Sequence, residues 1–372
     1  MLITDLSSEL LNSEFLLNIS RSLRFIILLL FIRVNIFNFH IIRKFQFSRF
    51  FFAFAVILFL YVFTDKDFLE GLWLYSKTLF WILGINVLFV LGYKNKLSFN
   101  DFIIVVKKVV FIAFTFTLIF FATGYIKEDY NVASYLVLFM FPIVLQSTLG
   151  YRKNKLLITI AALAILITLK RGAILAFVLG NLVYFFGILR IDFSVKKLAA
   201  GILLFLVLIT SGLFVFNQQK NDIEGRFSEE QFDVSNEQAG SGRIGLYTNL
   251  TEAWFYSDNR LFGFGNQEDS RRNRNRIHAH SDIFGFLYNH GIVGIILILF
   301  LYVKILKFYV YYRKYDKKNT PIILALLIIL LLVNFYSGMF RTTDAIYFFA
   351  LLPYLQLKRD AIKQSIYFNK ST

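Results

Sequence analysis

Three of the four histidines in the chain lie in one stretch, HAHSDIFGFLYNHGIVG (278–294), where a polar segment meets an apolar run. His278 and His280 alternate, so in an extended segment they share one side, and Asp282 follows. Zinc needs three or four ligands in suitable geometry, and these residues alone do not supply them. Histidine also transfers protons near neutral pH. The stretch therefore predicts acid or base chemistry, with neither a metal nor another cofactor.

Cationic side chains accompany this stretch. They stand at three places: Lys170 with Arg171 between two apolar runs, Arg243 in SGRIGLY, and Arg260 before the Gly-x-Gly turn of LFGFG. Arginine offers a planar fork of donors that suits phosphate oxygens. The ordinary alternatives are a snorkelling anchor for the first pair and a plain turn for LFGFG. The run RRNRNR (271–276) is typical of a solvated patch, or of a site for anionic lipid or an acidic polymer.

The elements that must position these residues are membrane helices. The chain is 57% hydrophobic and has 46 Phe and only 3 Pro in 372 residues. Its charges cluster between apolar runs of roughly 17–25 residues, the length that a helix needs to cross a bilayer. There is no Cys, which excludes disulfides and thiol chemistry. The sequence predicts an all-α polytopic membrane protein.

We predict ten spans, with one further stretch left open. The spans lie near 50–64, 72–92, 104–124, 132–149, 155–170, 172–189, 197–216, 283–306, 321–340 and 343–357. The open stretch is 24–41, because Arg33, Asn35, Asn38 and His40 fall where a span should be driest. It is either a span with the N-terminus outside or an interfacial helix with the N-terminus inside.

The net charge of +16 follows the topology. Most of it sits in short loops, namely 43–49, 94–96, 152–155, 190–197, 307–318 and the tail from 358. The alternating loops 65–70 and 127–130 are acidic or mixed. The positive-inside rule places the basic set in the cytoplasm, so no nucleic acid partner is expected. The acidic N-terminus argues against a cleaved signal peptide, so the chain is predicted to stay in the membrane.

One polar loop dominates the predicted organisation. Transmembrane helices occupy 1–216, a large loop on the outer face occupies 217–281, and transmembrane helices with a basic tail occupy 282–372. The loop begins as a flexible linker. It then carries an amphipathic helix on the membrane surface. This helix is predicted to begin just after Arg243, with Leu246, Leu250 and Trp254 at helical spacing, and to end near residue 258.

The motifs resemble one family. His280-Ser281, nine residues and then Gly291-Ile-Val-Gly294 resemble the H-[NSQ]-x9-G-x-x-G motif of the bacterial O-antigen ligase and polymerase superfamily. LKRGAILA, SGR with the following LY, LFGFG and HAHS occur in the family's order, over about 154–306. The chain has Lys170 where the family commonly has Ser and Tyr247 where it commonly has Trp, which keeps a polar and an aromatic residue. The family usually has about twelve helices.

The resemblance implies metal-free transfer of a glycan from undecaprenyl pyrophosphate to an acceptor hydroxyl, on the periplasmic face of the inner membrane. It assigns Arg171 and Arg243 to the pyrophosphate and His280 to the acceptor hydroxyl as general base, with inversion at the anomeric carbon. Second-rank candidates for substrate contacts are Arg260, His278, Asp282, Tyr247 and Lys170. Gly291 and Gly294 are expected to permit close helix packing.

The acceptor separates the functions that remain open. A polymerase uses a second lipid-linked repeat unit, with or without a chain-length regulator, and a ligase uses lipid A core or a protein. We place polymerase first because the chain is short and lacks an additional soluble domain. A lipid-linked sugar transporter would need charged or broken helices near the midplane, whereas the predicted spans are almost purely apolar. A structural scaffold would not need the motif series.

Overall fold

The computed structural model is all-helical, with no strand among the residues that it describes. Those residues are 14–65, 68–122, 131–148, 155–167, 171–191, 193–195, 198–199, 201–202, 206, 239–266, 268–269, 279, 281–340, 342 and 345–371. The predicted linker and most of the predicted span 197–216 lie outside the described residues. The fold class predicted from composition is confirmed.

The helices follow one another with short connections wherever the chain is described. Those before residue 192 are α1 (Glu14–Phe37), α2 (Phe39–Ile42), α3 (Ser48–Val62), α4 (Phe68–Tyr93), α5 (Phe99–Ala122), α6 (Asn131–Thr148), α7 (Lys155–Ile167) and α8 (Arg171–Ile191). Those after residue 238 are α9 (Ala239–Phe255), α10 (Asp282–Arg313), α11 (Thr320–Tyr336), α12 (Ala345–Phe349) and α13 (Leu351–Ser371).

Five of the described helical stretches are long and apolar enough to cross a membrane. They are Phe68–Tyr93, Phe99–Ile119, Gly172–Ile191, Asp282–Arg313 and Lys317–Tyr336. The predicted spans near 50–64 and 132–149 appear as the shorter apolar helices Ser48–Val62 and Tyr135–Val144. The length and composition of the described helices therefore support five of the ten predicted spans in full.

The predicted span 343–357 is wrong as a single helix. The chain forms α12, leaves the helical path at Ala350 and begins α13 at Leu351. Pro353 explains the break, because proline has no N–H to donate to the carbonyl of Phe349 and its ring crowds that carbonyl. In the first turn of a new helix the missing N–H costs nothing, which is where Pro353 lies.

The open stretch 24–41 forms most of α1, which packs against α4 in a parallel direction. Leu28 contacts the part of α4 at Phe80, and farther along α1 the Asn35 side chain donates to the Leu83 carbonyl at 3.1 Å. Asn86 Nδ2 donates to Asn35 Oδ1 at 3.0 Å, so the buried amides satisfy each other. Because α4 is a candidate span, this packing favours the membrane-crossing alternative for α1.

Helices α8 and α11 pack closely because glycines on α8 face large side chains on α11. A Cβ on Gly180 would lie 2.5 Å from Ile329, and one on Gly187 would lie 2.8 Å from Pro321. Small residues let membrane helices approach closely, and dispersion between the backbones then holds the pair. This pair aligns the start of α8 with the end of α11.

Basic side chains gather at one end of the bundle. Lys94 donates to the Asn38 side chain at 2.6 Å, and Lys358 lies 3.7 Å from Asp316. These residues belong to three of the loops that the charge pattern predicted on one side. The starts of α4, α8 and α10 and the end of α11 lie at the opposite end, where the candidate site is found.

The predicted amphipathic helix is present as α9, and it begins earlier than predicted, at Ala239. It ends at Phe255, close to the predicted position. Leu250 is buried against Ala279 and Tyr288, with Leu246 packed beside them. The apolar face of α9 therefore covers protein at the start of α10, whereas the sequence had predicted that it faces the membrane surface.

We predict that Gly180→Leu lowers the thermal unfolding midpoint of the detergent-solubilised protein. The added side chain cannot fit against Ile329, and overpacking of this kind typically costs about 1–3 kcal/mol. Leu179→Phe is the matched control, since Leu179 is 38% exposed on the same helix and also gains volume. Equal midpoints for the two variants would contradict the close packing of α8 on α11.

Candidate active site

Residues 334–340 are the end of α11 and the chain that leads towards α12. Hydrogen bonds join this segment to the start of α10. The Asp282 carboxylate is buried and accepts the N–H of Met339 at 2.7 Å and that of Phe340 at 3.3 Å. Ser281 Oγ donates to the Asn334 carbonyl at 3.0 Å. The two residues that follow His280 are therefore fixed to this 334–340 segment.

The same segment is tied to α4. Trp81 Nε1 donates to the Phe340 carbonyl at 3.1 Å, and the Thr78 hydroxyl donates to the same oxygen at 3.2 Å. Trp81 is itself buried against Phe51 and Phe349. After the end of α11 at Tyr336 the segment is irregular backbone, and the N–H groups of Ser337, Met339 and Phe340 find protein partners, as backbone in a membrane protein must. It is a rigid support at the end of the bundle.

Arg243 binds this support. Its Nη1 donates to the Tyr336 carbonyl at 3.1 Å, and the side chain is half-buried. The sequence had placed Arg243 before the amphipathic helix, but it lies inside α9, four residues after the helix begins. The glycines around it did not stop the helix, because packing of α9 on α10 outweighs their low helix propensity.

Arg171 begins α8, next to the same support. Its side chain, and all of Lys170, lie outside the described residues. The following residue, Gly172, is packed on Tyr336, so that a Cβ there would lie 2.7 Å from the Tyr336 Cβ. The start of α8 and the guanidinium of Arg243 therefore both contact Tyr336.

Tyrosines surround Arg243. Tyr247, one turn later in α9, stacks on Phe284 with ring centroids 4.2 Å apart. Burial raises the pKa of Tyr247 to about 12, against a smaller lowering by Arg243. Tyr247 therefore stays neutral at physiological pH and keeps a hydroxyl proton to donate. Tyr135 and Tyr336 are its electrostatic neighbours.

Residues 156–299 match the family model described as O-antigen ligase. Over these residues the chain is similar to the O-antigen ligase family. That family carries out lipid-linked glycan transfer of the ligase or polymerase type, and its members are multi-pass membrane enzymes. No curated protein matches the chain. The family resemblance inferred from the motifs is confirmed.

The matched residues include Arg171, Arg243 and His280, whereas the 334–340 segment lies beyond the matched range. The sequence had assigned this segment to a plain span. The one signal for a different role was the polar pair Ser337-Gly338 inside an apolar run. The support of the site was therefore missed, although its position is set by hydrogen bonds to motif residues.

The histidine stretch is only partly described by the structure. His278, His280 and the arginine run 271–276 lie outside the described residues. Between the two histidines, Ala279 is buried and donates its N–H to Asp269 Oδ2 at 3.0 Å. The sequence had not singled out Asp269, which stands in an unremarkable polar segment.

The first glycine of the family motif breaks α10. Gly291 has φ 61° and ψ −152°, a conformation open essentially to glycine alone. The LFGFG turn (261–265) enters this break: Ile292 N–H donates to the Arg260 carbonyl at 3.0 Å, and Gly265 N–H donates to the Asn289 carbonyl at 2.9 Å. The sequence had predicted close helix packing for Gly291, but its observed role is to admit the turn.

Two of the singled-out residues are not brought to Arg243 by any contact that the structure describes. The Arg260 side chain is exposed, and its carbonyl serves the docking of the LFGFG turn. His290 is buried, with Nε2 2.8 Å from Asn266 Oδ1, beside a small pocket lined also by Tyr75 and Thr78. Asn266 in turn donates to Asp65 at 3.1 Å. His290 thus helps to hold the turn.

In the described part of the chain, no three His, Asp or Glu side chains lie close enough together to bind one metal ion. The chemistry that the described site can support is recognition of an anion by Arg243, at a surface where water is partly excluded. Tyr247, whose hydroxyl is neutral, lies one turn further along the helix. Both side chains lie on one face of α9.

We predict that Gly291→Ala loosens the LFGFG turn. An added Cβ would lie 2.5 Å from the carbonyl oxygens of Arg260 and Leu261, and the backbone strain alone costs about 1–3 kcal/mol. Limited proteolysis between residues 255 and 266 should become faster, and the thermal midpoint should fall. Ile292→Ala, at a position 41% exposed on the same helix, is the control. Unchanged cleavage of Gly291→Ala would contradict this role.

Proposed function

We propose that the protein polymerises undecaprenyl-pyrophosphate-linked repeat units by metal-independent, inverting glycosyl transfer. The observation that carries the proposal is the binding of Arg243 to the Tyr336 carbonyl. It puts this guanidinium on the same segment that anchors Ser281, the residue next to His280, and that packs on Gly172, the residue next to Arg171. Arg243 and the chain neighbours of Arg171 and His280, residues distant in sequence, thus contact one rigid support.

The arginines act on the leaving group. As the bond between the sugar and the pyrophosphate breaks, negative charge grows on the phosphate oxygens, and fixed guanidinium groups stabilise it without reorganisation. Arg243 uses one of its donors on Tyr336, which orients the remaining N–H groups of the fork. Arg171 supplies the second cation. Together they take the part that a divalent ion plays in other phosphate chemistry.

His280 acts on the acceptor. Its imidazole takes the proton of an acceptor hydroxyl, whose oxygen attacks the anomeric carbon from the face opposite the pyrophosphate. One carbon–oxygen bond forms and one breaks, the electron pair leaves with undecaprenyl pyrophosphate, and the configuration inverts. General-base help of this kind typically contributes about 10²–10⁴-fold.

The remaining candidates bind and support the substrates. Tyr247 donates its hydroxyl proton to a sugar oxygen, and Lys170, Arg260 and His278 provide further polar contacts for the glycan. Asp282 acts through the backbone bonds that its buried carboxylate accepts, which hold the loop beside the reacting groups.

The site faces the outer side of the bacterial cytoplasmic membrane in this proposal. The basic loops, which the positive-inside rule assigns to the cytoplasm, belong to the end of the bundle opposite Arg243. The proposed division is transmembrane helices over 1–216, the outer loop over 217–281, and transmembrane helices with a basic tail over 282–372. Membrane lipids and a chain-length regulator are the proposed partners besides the lipid-linked donor and acceptor glycans.

Ligation is the second candidate, and the family's description as O-antigen ligase favours it. Donor, arginines and base are the same in both reactions. The acceptor differs, being a second lipid-linked repeat unit for polymerisation and lipid A core or a protein for ligation.

We predict that His280→Gln abolishes glycan assembly in a host strain that lacks the chromosomal gene, because glutamine cannot accept the hydroxyl proton. Surface glycan and carrier-linked glycan are separated on gels after complementation with wild type or variant. Loss of polymerase activity leaves surface glycan capped with one repeat unit. His40→Gln, an exposed histidine outside the site, should behave as wild type.

Three other results have definite meanings in this experiment. Long chains that accumulate on undecaprenyl pyrophosphate and never reach the surface would identify a ligase. A wild-type pattern with His280→Gln at normal abundance would contradict the assignment of the base. Loss of activity in EDTA, restored by a divalent ion, would contradict the metal-independent step.

We predict that Arg243→Lys lowers kcat/KM for the lipid-linked donor by about 10- to 100-fold in a membrane assay. Lysine keeps the charge but loses the fork, and one charge-assisted hydrogen bond is worth about 1.5–3 kcal/mol. Arg33→Lys, on the exposed side of α1, is the matched control. Near-normal activity of Arg243→Lys would mean that two-pronged recognition of the pyrophosphate is the wrong picture.

A further inference from the structure

A buried pair of side chains, Asp269 and Asn289, lies beneath the histidine stretch. Both residues are fully buried. Asn289 Nδ2 donates to Asp269 Oδ1 at 2.9 Å, and the Asp269 N–H donates to Asn289 Oδ1 at 3.0 Å. The second carboxylate oxygen, Oδ2, accepts the Ala279 N–H at 3.0 Å. A buried carboxylate is costly unless its acceptors are used, and here each oxygen accepts an N–H.

Ala279 is held from two sides. Its N–H donates to Asp269, and Ala279 itself is buried against Leu250 of α9 and Tyr288 of α10. Asn289 stands two residues before the break in α10, where its own carbonyl accepts the Gly265 N–H. The pair therefore links the broken helix and the docked turn to the backbone just before His280.

The residue after His280 is held as well. Ser281 Oγ donates to the Asn334 carbonyl, and the Ser281 side chain caps α10 by accepting the Phe284 N–H at 3.3 Å. The two residues that flank His280 in the chain are therefore both anchored by hydrogen bonds. Ser281 is bound to the 334–340 segment, and Ala279 is bound to the Asp269–Asn289 pair.

We propose that Asp269 and Asn289 are positioning residues, which hold the backbone of His280 in register with Arg243. This inference rests on the proposed function, in which His280 is the general base. Neither side chain touches substrate. Their effect is on kcat, because a misplacement of about 1 Å in a reacting group can cost about 100-fold.

An exchange of the two residues tests the proposal. With Asp269→Asn alone, two amide nitrogens face each other or the bond from Ala279 is lost, and with Asn289→Asp alone, two carboxylates meet. In the double variant, Asp at 289 accepts from the 269 N–H and side-chain amide, while the Asn oxygen at 269 accepts from Ala279. All three hydrogen bonds are restored and the negative charge is moved.

We expect each single variant to lower kcat by about 100-fold with KM for the lipid-linked donor nearly unchanged. The double variant should recover most of the rate. Hydrogen–deuterium exchange of the full-length protein in detergent provides a readout independent of activity. Peptides containing Ala279 should lose protection in the single variants and regain it in the double variant.

Asn86→Asp is the control for the general effect of a carboxylate at a buried asparagine, because Asn86 pairs with Asn35 outside the site. It should leave exchange at Ala279 unchanged. Loss of protection in Asn86→Asp equal to that in the single variants would overturn the assignment of a local effect.

The outcomes separate this inference from the proposed function. If His280→Gln is active, the proposed function fails, while exchange at Ala279 still reports whether the pair holds the segment. If His280→Gln is inactive but the double variant regains neither protection nor rate, the positioning role is overturned. Regained protection without regained rate would also overturn it, because hydrogen bonding would then not be what the reaction requires.

Discussion

The buried carboxylate of Asp282 is the interaction on which the site depends. It accepts two backbone N–H groups of residues 339 and 340, which lie beyond the end of α11 and have no helical partners there. An unpaired backbone group at this depth would be costly, and the carboxylate satisfies both at once. The same segment carries the carbonyl that binds Arg243, so the bonds that stabilise the irregular backbone also bring the arginine to the start of α10.

The break in α10 is subject to the same constraint, that buried backbone groups need hydrogen-bond partners. Where Gly291 leaves the helical path, the LFGFG turn supplies the missing hydrogen-bond acceptors and donors. The irregular backbone is therefore hydrogen-bonded to protein. Transporters use broken helices to coordinate ions with exposed backbone near the midplane. Here the break lies near one end of α10 and is filled, which fits a scaffold for a surface reaction better than a pathway for a solute.

The distribution of charge suits an anionic donor. Lys94 and Lys358 make their contacts at one end of the bundle, while Arg243 stands at the other, half-buried among tyrosines. A guanidinium in such surroundings interacts more strongly with phosphate than it would in water. Its bond to a fixed carbonyl also removes much of the side-chain entropy that binding would otherwise cost.

The sequence by itself determined the membrane class, the helical fold, the family and the glycine turn. Each depends on composition, on short periodicity or on residues adjacent in the chain. Tertiary structure alone decided the support at 334–340, the pair Asp269–Asn289 and the true role of Gly291. The bonds that create them join residues 57, 20 and 32 positions apart, as in Asp282 to Met339, Asn289 to Asp269, and Ile292 to Arg260. Local patterns carry no information about which distant backbone group a side chain will meet, because that is fixed only when the helices pack.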